Sequence, residues 1–197
     1  MEKIMIATLY SYEPIIAGVM AMGAKKLYLL MDESPDEYQK KSLKEVKERL
    51  SEFVNITEVK TNVYNILMTS KACVDLIDSI ENNSKIILNI SAARKTKALG
   101  LLYAGYARFN RIDKIVYITK EEKEVIELPK LSFNLNKKQK ELLQFLEKNK
   151  VVNIYEVVNT ISCSRANAYR HISELRKCGY IKENALELTE AGKIAIL

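Results

Sequence analysis

The sequence has few of the residues that build metal centres and disulfide frameworks. It contains three cysteines, Cys73, Cys163 and Cys178, an odd number without a CxxC pair, and a single histidine, His171. No cysteine or carboxylate stands at a metal-ligand spacing that would complete a zinc site with His171, so the pattern predicts reduced thiols and no metal. We expect no cofactor.

Long apolar runs are missing too. The longest uncharged stretch near the start, Ile15 to Ala24, is far shorter than the roughly 20 residues that span a bilayer. No basic segment precedes an apolar one at the amino terminus, as a secretory signal would require. We therefore expect a cytoplasmic protein without a membrane partner.

The common glycine-rich phosphate loops are also absent. No GxGxxG follows the first apolar run, and no GxxxxGK[ST] occurs, so nicotinamide and ordinary nucleoside triphosphate chemistry have little support. Ser11 has no histidine to activate it, because His171 belongs to another part of the chain. We assign no catalytic residue.

The first 130 residues alternate between apolar runs and helical stretches. Strands are predicted at residues 3–9, 27–31, 53–59, 86–90 and 114–119. Helices are predicted from Pro14, from Pro35 to Phe53 with Ser34 as the cap, and at 65–80 and 96–109. Strands connected through helices pair in parallel. We predict a doubly wound α/β fold with a Rossmann-like, mostly parallel sheet, and a ligand crevice at the carboxyl ends of its strands.

Two loops should border this crevice. The first contains Tyr10, Ser11 and Tyr12, and the second places small residues before three cations in the order Ser91, Ala92, Ala93, Arg94, Lys95, Thr96 and Lys97. A helix begins there, and helix N-termini favour anions, so the second loop predicts a phosphate-bearing ligand. The alternative is a solvated charge run, although cations at this end oppose the helix dipole unless an anion is bound.

The last 60 or so residues predict a winged helix-turn-helix. Helices are expected at 137–147, 152–159 and 164–178, then a wing hairpin at 180–188 and a helix capped by Thr189. Residues 131–197 contain 11 Lys and Arg against 7 Asp and Glu, whereas residues 1–130 contain 20 against 18. The excess of +4 fits a module that neutralises DNA phosphates. A solvated lysine-rich surface, or a module for protein contact alone, is the alternative.

The helix at 164–178 is the predicted recognition helix, which would enter the major groove with its first residues nearest the bases. Its candidate base contacts are Ser164, Arg165, Asn167, Tyr169 and Arg170. Arginine prefers guanine and asparagine prefers adenine. Lys182 in the wing is placed to meet a phosphate. The expected partner is a double-stranded DNA operator.

Asn89 extends the second loop into a longer motif, Asn89-Ile90-Ser91-Ala92-Ala93-Arg94-Lys95. The motif is similar to Asn-hydrophobic-Thr/Ser-Gly-Gly-x-Lys/Arg, which follows strand four in the CRISPR-associated Rossmann-fold (CARF) winged-helix transcription regulators. The order of the two domains extends the resemblance over nearly the whole chain. It implies a CARF-like ligand-sensing and dimerisation domain at 1–130 and a winged helix-turn-helix domain at 131–197.

The resemblance implies a cyclic oligoadenylate ligand, above all cyclic tetra-adenylate, held across the two-fold axis of a homodimer. Tyr10, Ser11 and Tyr12 would then contact ribose or adenine, and residues 91–97 the phosphates. Ala92 and Ala93 replace the glycine pair of the family and remove easy access to positive φ. Either the loop keeps ordinary backbone angles and still binds, or the ligand differs.

The function that the resemblance implies is ligand-responsive transcription regulation in a CRISPR defence system. Two alternatives remain open: a metal-independent ring nuclease, with Ser11 and Lys95 acting on a ribose hydroxyl, and a dimeric repressor that needs no ligand. The small residues of the fourth helix are expected to pack on the sheet, with a dimer contact as the alternative. They are Gly100, Ala104, Gly105 and Ala107.

Overall fold

Secondary structure changes in character at residue 129. Strands and helices alternate up to Leu128, and helices predominate from Pro129 onward, where the chain divides into two compact units. The computed structural model describes residues 1–62, 64–132, 135–149 and 153–196. No helix within these ranges combines the length and apolar character needed to cross a bilayer.

The first unit is built on a six-stranded sheet. Its strands are β1 (Lys3–Thr8), β2 (Lys26–Asp32), β3 (Asn55–Thr61), β4 (Lys85–Asn89), β5 (Ile112–Ile118) and β6 (Val125–Leu128). They lie in the order β3-β2-β1-β4-β5-β6, with five parallel strands and β6 antiparallel to β5. The α/β fold with a mostly parallel, Rossmann-like sheet is confirmed.

Four helices cover the two faces of this sheet. They are α1 (Glu13–Met22), α2 (Glu37–Leu50), α3 (Ile66–Ser79) and α4 (Lys95–Ala107). Alternate residues of β1 enter opposite cores: Met5 and Ala7 pack with α1 and α2, whereas Ile4 and Ile6 pack with α3 and α4. Because the central strands are buried on both faces, their sequences are nearly continuous apolar runs.

Several predicted boundaries were wrong at the first unit's turns. Asp36 rather than Ser34 caps α2, because its carboxylate accepts a hydrogen bond from the Gln39 amide at 2.8 Å. The same helix ends at Leu50, after which the Phe53 and Val54 amides donate to the Leu50 carbonyl. Consequently β3 begins at Asn55, two residues later than predicted.

Within its described residues, the second unit contains four helices and one antiparallel bridge. The helices are α5 (Lys137–Lys148), α6 (Ile154–Ile161), α7 (Arg165–Lys177) and α8 (Glu190–Ile194), and the bridge joins Ile181 to Leu188. Asparagine capping boxes begin α5 and α6, and the Thr189 hydroxyl caps α8 as predicted. The predicted start of the second helix, Val152, lies outside the described residues.

Candidate ligand site and nucleic-acid interface

The two predicted ligand loops meet at one end of the sheet. In this strand order the connections from β1 and β4 run to opposite faces, which creates the crevice where α/β proteins bind ligands. The buried Asn89 side chain joins the second loop to the first turn of α1, directly after the first loop: its Nδ2 donates to the Pro14 carbonyl at 3.0 Å, and its Oδ1 accepts from the Ser91 amide at 3.1 Å. Gly18 leaves room for Asn89, since a Cβ there would lie 2.5 Å from Nδ2.

Ser91, Ala92 and Ala93 form the turn of the second loop. The Ser91 hydroxyl donates to Asn89 Oδ1 at 2.5 Å and accepts from the Ile118 amide at 2.7 Å, so it fastens the loop to β5. Ala92 is buried, and both alanines keep negative φ. Of the two alternatives for the alanine pair, the structure therefore shows the loop with ordinary backbone angles.

Arg94 is the N-cap residue of α4 and lies among carboxylates and an aromatic ring. Its Nη2 is 3.4 Å from Asp36 Oδ2, and its Nε is 3.6 Å from Asp32 Oδ2. Its guanidinium carbon is 5.2 Å from the centre of the Tyr10 ring. Nε is buried without a hydrogen-bond partner among the described residues, so a strong donor is left unsatisfied at this point.

Lys97 has a different environment from the one expected of a phosphate ligand. Only 1% of its side chain is exposed, and its Nζ forms an ion pair with Asp32, whose side chain is 4% exposed. Burial lowers the pKa of Lys97, and the Asp32 carboxylate opposes that shift. Beneath it, burial raises the pKa of the Cys73 thiol to about 12. Lys97 thus joins the start of α4 to the end of β2.

Lys95 and Thr96 complete the loop. The Lys95 side chain is exposed, and no ion pair joins it to another residue in the described ranges. Thr96 is half-buried. Lys95 is therefore the loop cation most open to an incoming anion.

Gln39 is a positioning residue that the sequence did not reveal. Its buried side chain donates from Nε2 to the Leu9 carbonyl at 2.6 Å and accepts at Oε1 from the Asp32 amide at 3.1 Å. It thereby fixes the ends of β1 and β2 beside Tyr10. The sequence shows Gln39 only as a residue of the first turn of a helix, and its contacts with Leu9 and Asp32 follow from the fold.

In the second unit, the predicted base-contacting residues lie together on the first two turns of α7 and its cap. All are exposed: Ser164, Arg165, Asn167, Tyr169 and Arg170. Ser164 also has a structural role, because its hydroxyl accepts from the Asn167 amide at 3.2 Å. Lys182 is exposed beside the bridge, with its Nζ 2.6 Å from Glu187.

Arg165 lies between two tyrosine rings. Its guanidinium carbon is 5.0 Å from the centre of the Tyr155 ring and 5.8 Å from that of Tyr169. These tyrosines are 62% and 51% exposed, and their hydroxyls raise the pKa of Arg165, chiefly through the hydrogen bond with Tyr169. Tyr155 of α6 was not predicted, because it comes from the preceding helix.

A family model identifies the first unit. The model described as HFX_2341_N:-like, N-terminal, matches residues 3–124, more than half of the chain, so the chain belongs to this family. No curated protein matches it by sequence.

Solved structures share the fold at low identity. Can2 from Sulfobacillus thermosulfidooxidans, solved in complex with cyclic tetra-adenylate, has a TM-score of 0.50 and 14% identity over 99% of this chain. Enterococcus italicus Csm6, bound to cyclic hexa-2'-fluoro-hexa-dAMP, has a TM-score of 0.55 and 12% identity over 90% of this chain. Protein VC1899 from Vibrio cholerae has a TM-score of 0.53 and 10% identity over 98% of this chain. The chain spans 64%, 52% and 64% of their respective lengths, and these likenesses establish the fold alone.

Proposed function

We propose that the chain senses a cyclic oligoadenylate, with cyclic tetra-adenylate as the first candidate, and acts as a DNA-binding transcription regulator in a CRISPR defence system. The observation that carries the proposal is the meeting of the two loops at the crevice of the sheet, where Arg94 lies over the Tyr10 ring and Asn89 joins the second loop to the start of α1. Two solved structures of the same fold, Can2 and Csm6, hold cyclic oligonucleotides. The CARF-like motif at residues 89–95 supports the same ligand.

The charges of the second loop are suited to phosphate. Arg94 lies 3.4 and 3.6 Å from its carboxylates, beyond the roughly 2.7–2.9 Å of a close charge-assisted hydrogen bond. Arg94, whose side chain is 37% exposed, and the exposed Lys95 both stand at the N-terminus of α4, where backbone N–H groups favour anions. A phosphate there would be bound by both side chains.

The second unit is the proposed winged helix-turn-helix, with α7 as the recognition helix and the turn closed by the Ile181–Leu188 bridge as the wing. Its excess of positive charge and its exposed polar residues on the start of α7 favour a double-stranded DNA operator. A ring with two-fold symmetry and a palindromic operator both require a homodimer, which we place in the first unit.

Incubation of the full chain with labelled cyclic tetra-adenylate tests the proposal. Binding and products are followed together, by filter retention and by chromatography. We expect tight binding with the ring recovered intact. Conversion to linear product would instead show a metal-independent ring nuclease, and the absence of binding would favour a dimeric repressor that needs no ligand.

A further inference from the structure

A cavity of about 390 Å³ lies between the loop after β1 and the turn that joins β5 to β6. Its lining consists of Tyr10, Ser11, Glu13, Pro14, Tyr38, Lys120 and Lys123. We propose that it is a nucleotide subsite of the cyclic oligoadenylate site, an inference that rests on the function proposed above. Tyr38, Lys120 and Lys123 would be its specificity-determining residues.

An aromatic pair gives the cavity a surface for a base. The ring centres of Tyr10 and Tyr38 are 5.2 Å apart with a tilt of 41°, and Arg94 lies over Tyr10. This series of side chains runs from the phosphate-binding loop into the cavity. Tyr38 is exposed at the start of α2, outside the hydrophobic cores. Nucleobases of every kind can stack on exposed aromatic rings of this sort.

Polar groups around the aromatic pair match the rest of a nucleotide. The Glu13 carboxylate can accept a hydrogen bond from the exocyclic amine of adenine, and the Ser11 hydroxyl can bond to ribose. Tyr12 makes no side-chain cap at the start of α1, whose dipole adds positive potential at this end of the cavity.

Lys120 and Lys123 supply the charge for a phosphate. The turn that bears them is hydrogen-bonded: the Thr119 amide donates to the Glu124 carbonyl at 2.9 Å, and the Glu124 amide donates to Thr119 Oγ1 at 2.9 Å. Lys123 has a φ of 58° and its Nζ donates to the Lys120 carbonyl at 2.8 Å, which brings both residues to one side of the turn. No carboxylate within the described ranges forms an ion pair with either lysine.

Calorimetric titration of the full chain with cyclic tetra-adenylate tests the base surface. We expect Tyr38→Ala to weaken binding about tenfold, because one stacking contact is lost, and Tyr38→Phe to stay within about twofold of the unmodified chain. Tyr155→Ala, the same change at an exposed tyrosine of the other unit, is the matched control. Unchanged affinity in Tyr38→Ala would overturn the subsite.

The salt dependence of binding tests the lysines. Removal of two phosphate contacts should weaken binding and make the slope of log K against log salt about 1.4 units shallower in Lys120→Ala with Lys123→Ala. Lys44→Ala with Lys71→Ala removes two exposed lysines elsewhere on the first unit. This double variant should change neither the affinity nor the salt slope. Equal slopes in the two double variants would contradict the phosphate assignment.

The same titrations separate the two proposals. If the unmodified chain binds the ring and Arg94→Ala with Lys95→Ala does not, the proposed ligand site stands whatever Tyr38 does, and unchanged Tyr38 and lysine variants then refute the subsite alone. If the unmodified chain does not bind the ring, the proposed function fails and the subsite fails with it.

Discussion

The ion pair of Lys97 and Asp32 is the most deeply buried charge interaction described in the first unit. Removing two charges from water costs several kcal/mol each, and their attraction repays this cost only while both remain. The pair therefore specifies where α4 begins relative to β2, and it holds Asp32 in position beside Arg94.

Substitution of Lys97 tests this structural role. We expect Lys97→Met to lower the free energy of unfolding by about 3 kcal/mol, because the buried Asp32 loses its close partner and keeps only Arg94, whose Nε is 3.6 Å away. Lys97→Met combined with Asp32→Leu should recover most of that loss, and Lys95→Met, at an exposed position, should be neutral. Urea denaturation measures all three. A neutral Lys97→Met would contradict the buried pair.

Arg94 and Lys95 are the residues whose substitution tests the proposed ligand site. Arg94→Ala with Lys95→Ala should abolish cyclic tetra-adenylate binding while the fold remains, since each change removes a charge-assisted contact of about 1.5–3 kcal/mol. Ser11→Ala should weaken binding less. Calorimetry measures the affinity and circular dichroism the fold. Unchanged affinity in the double variant would refute the placement of the phosphate site.

The sequence predicted the loops of the site better than the partners of their residues. Small residues followed by cations at a strand–helix junction form a local pattern, which is readable from residues 89–97. The Lys97–Asp32 pair joins residues 65 positions apart, and the Gln39–Leu9 hydrogen bond spans 30. Such contacts depend on strand order, which no local pattern specifies.

Helix α4 has two different faces. A Cβ at Gly100 would lie 2.7 Å from Thr69 Cγ2, and one at Gly105 would lie 2.5 Å from Leu88 Cδ1. Gly105 therefore packs on the sheet as predicted, and Ala104 is buried in the same core. The prediction was wrong for Gly100, which packs against α3, and for Ala107, which is exposed near the end of the helix. The exposed residues of the helix are Lys95, Leu99, Tyr103 and Ala107, with Leu99 at 38% and Tyr103 at 44%. No charged residue occurs from Ala98 to Ala107.

We propose the outer face of α4 that bears Leu99 and Tyr103 as the contact of the proposed homodimer. Leu99→Glu with Tyr103→Glu should convert the homodimer to a monomer, because two charges would be buried without partners at the interface. Sedimentation equilibrium at micromolar concentration measures the mass, and Met20→Glu, at an exposed position of α1, is the control. A monomeric unmodified chain would contradict the dimer itself, and a dimeric double variant would contradict this face.

Elements with strong local signals were predicted well. Helices α5 and α7 begin at polar caps and follow regular apolar spacing, so both lie within one residue of their predicted ends. The strand β6 was missed, because its four residues are only partly covered and pair antiparallel at the sheet edge. Edge strands gain little apolar burial and leave a weak pattern.

Under the proposed function, α7 and Lys182 beside the bridge should contact DNA in different ways. Arg170→Ala and Asn167→Ala should each cost about 1–3 kcal/mol on a specific operator and relax base preference. Lys182→Ala should weaken binding evenly across sequences and lower the salt slope by about one unit. Fluorescence anisotropy with matched duplexes measures both. If Arg170→Ala left the operator affinity unchanged and Lys182→Ala altered the base preference, α7 would not be the element that reads the bases, and Lys182 would not be a phosphate contact.

Under the proposed function, one chain contains both a ligand-binding unit and a DNA-binding unit. Regulation then requires that the ring binds with different affinity to the DNA-bound and DNA-free protein, and the coupling is reciprocal. Couplings between two sites are typically about 1–3 kcal/mol, a change of roughly 5- to 150-fold in affinity.

The most direct test is the affinity of the full chain for its selected duplex, measured by anisotropy at fixed salt with and without saturating cyclic tetra-adenylate. We predict at least about a fivefold difference between the two conditions. The difference should vanish in Arg94→Ala with Lys95→Ala. Identical affinities in the unmodified chain, under conditions where calorimetry shows the ring bound, would contradict the account.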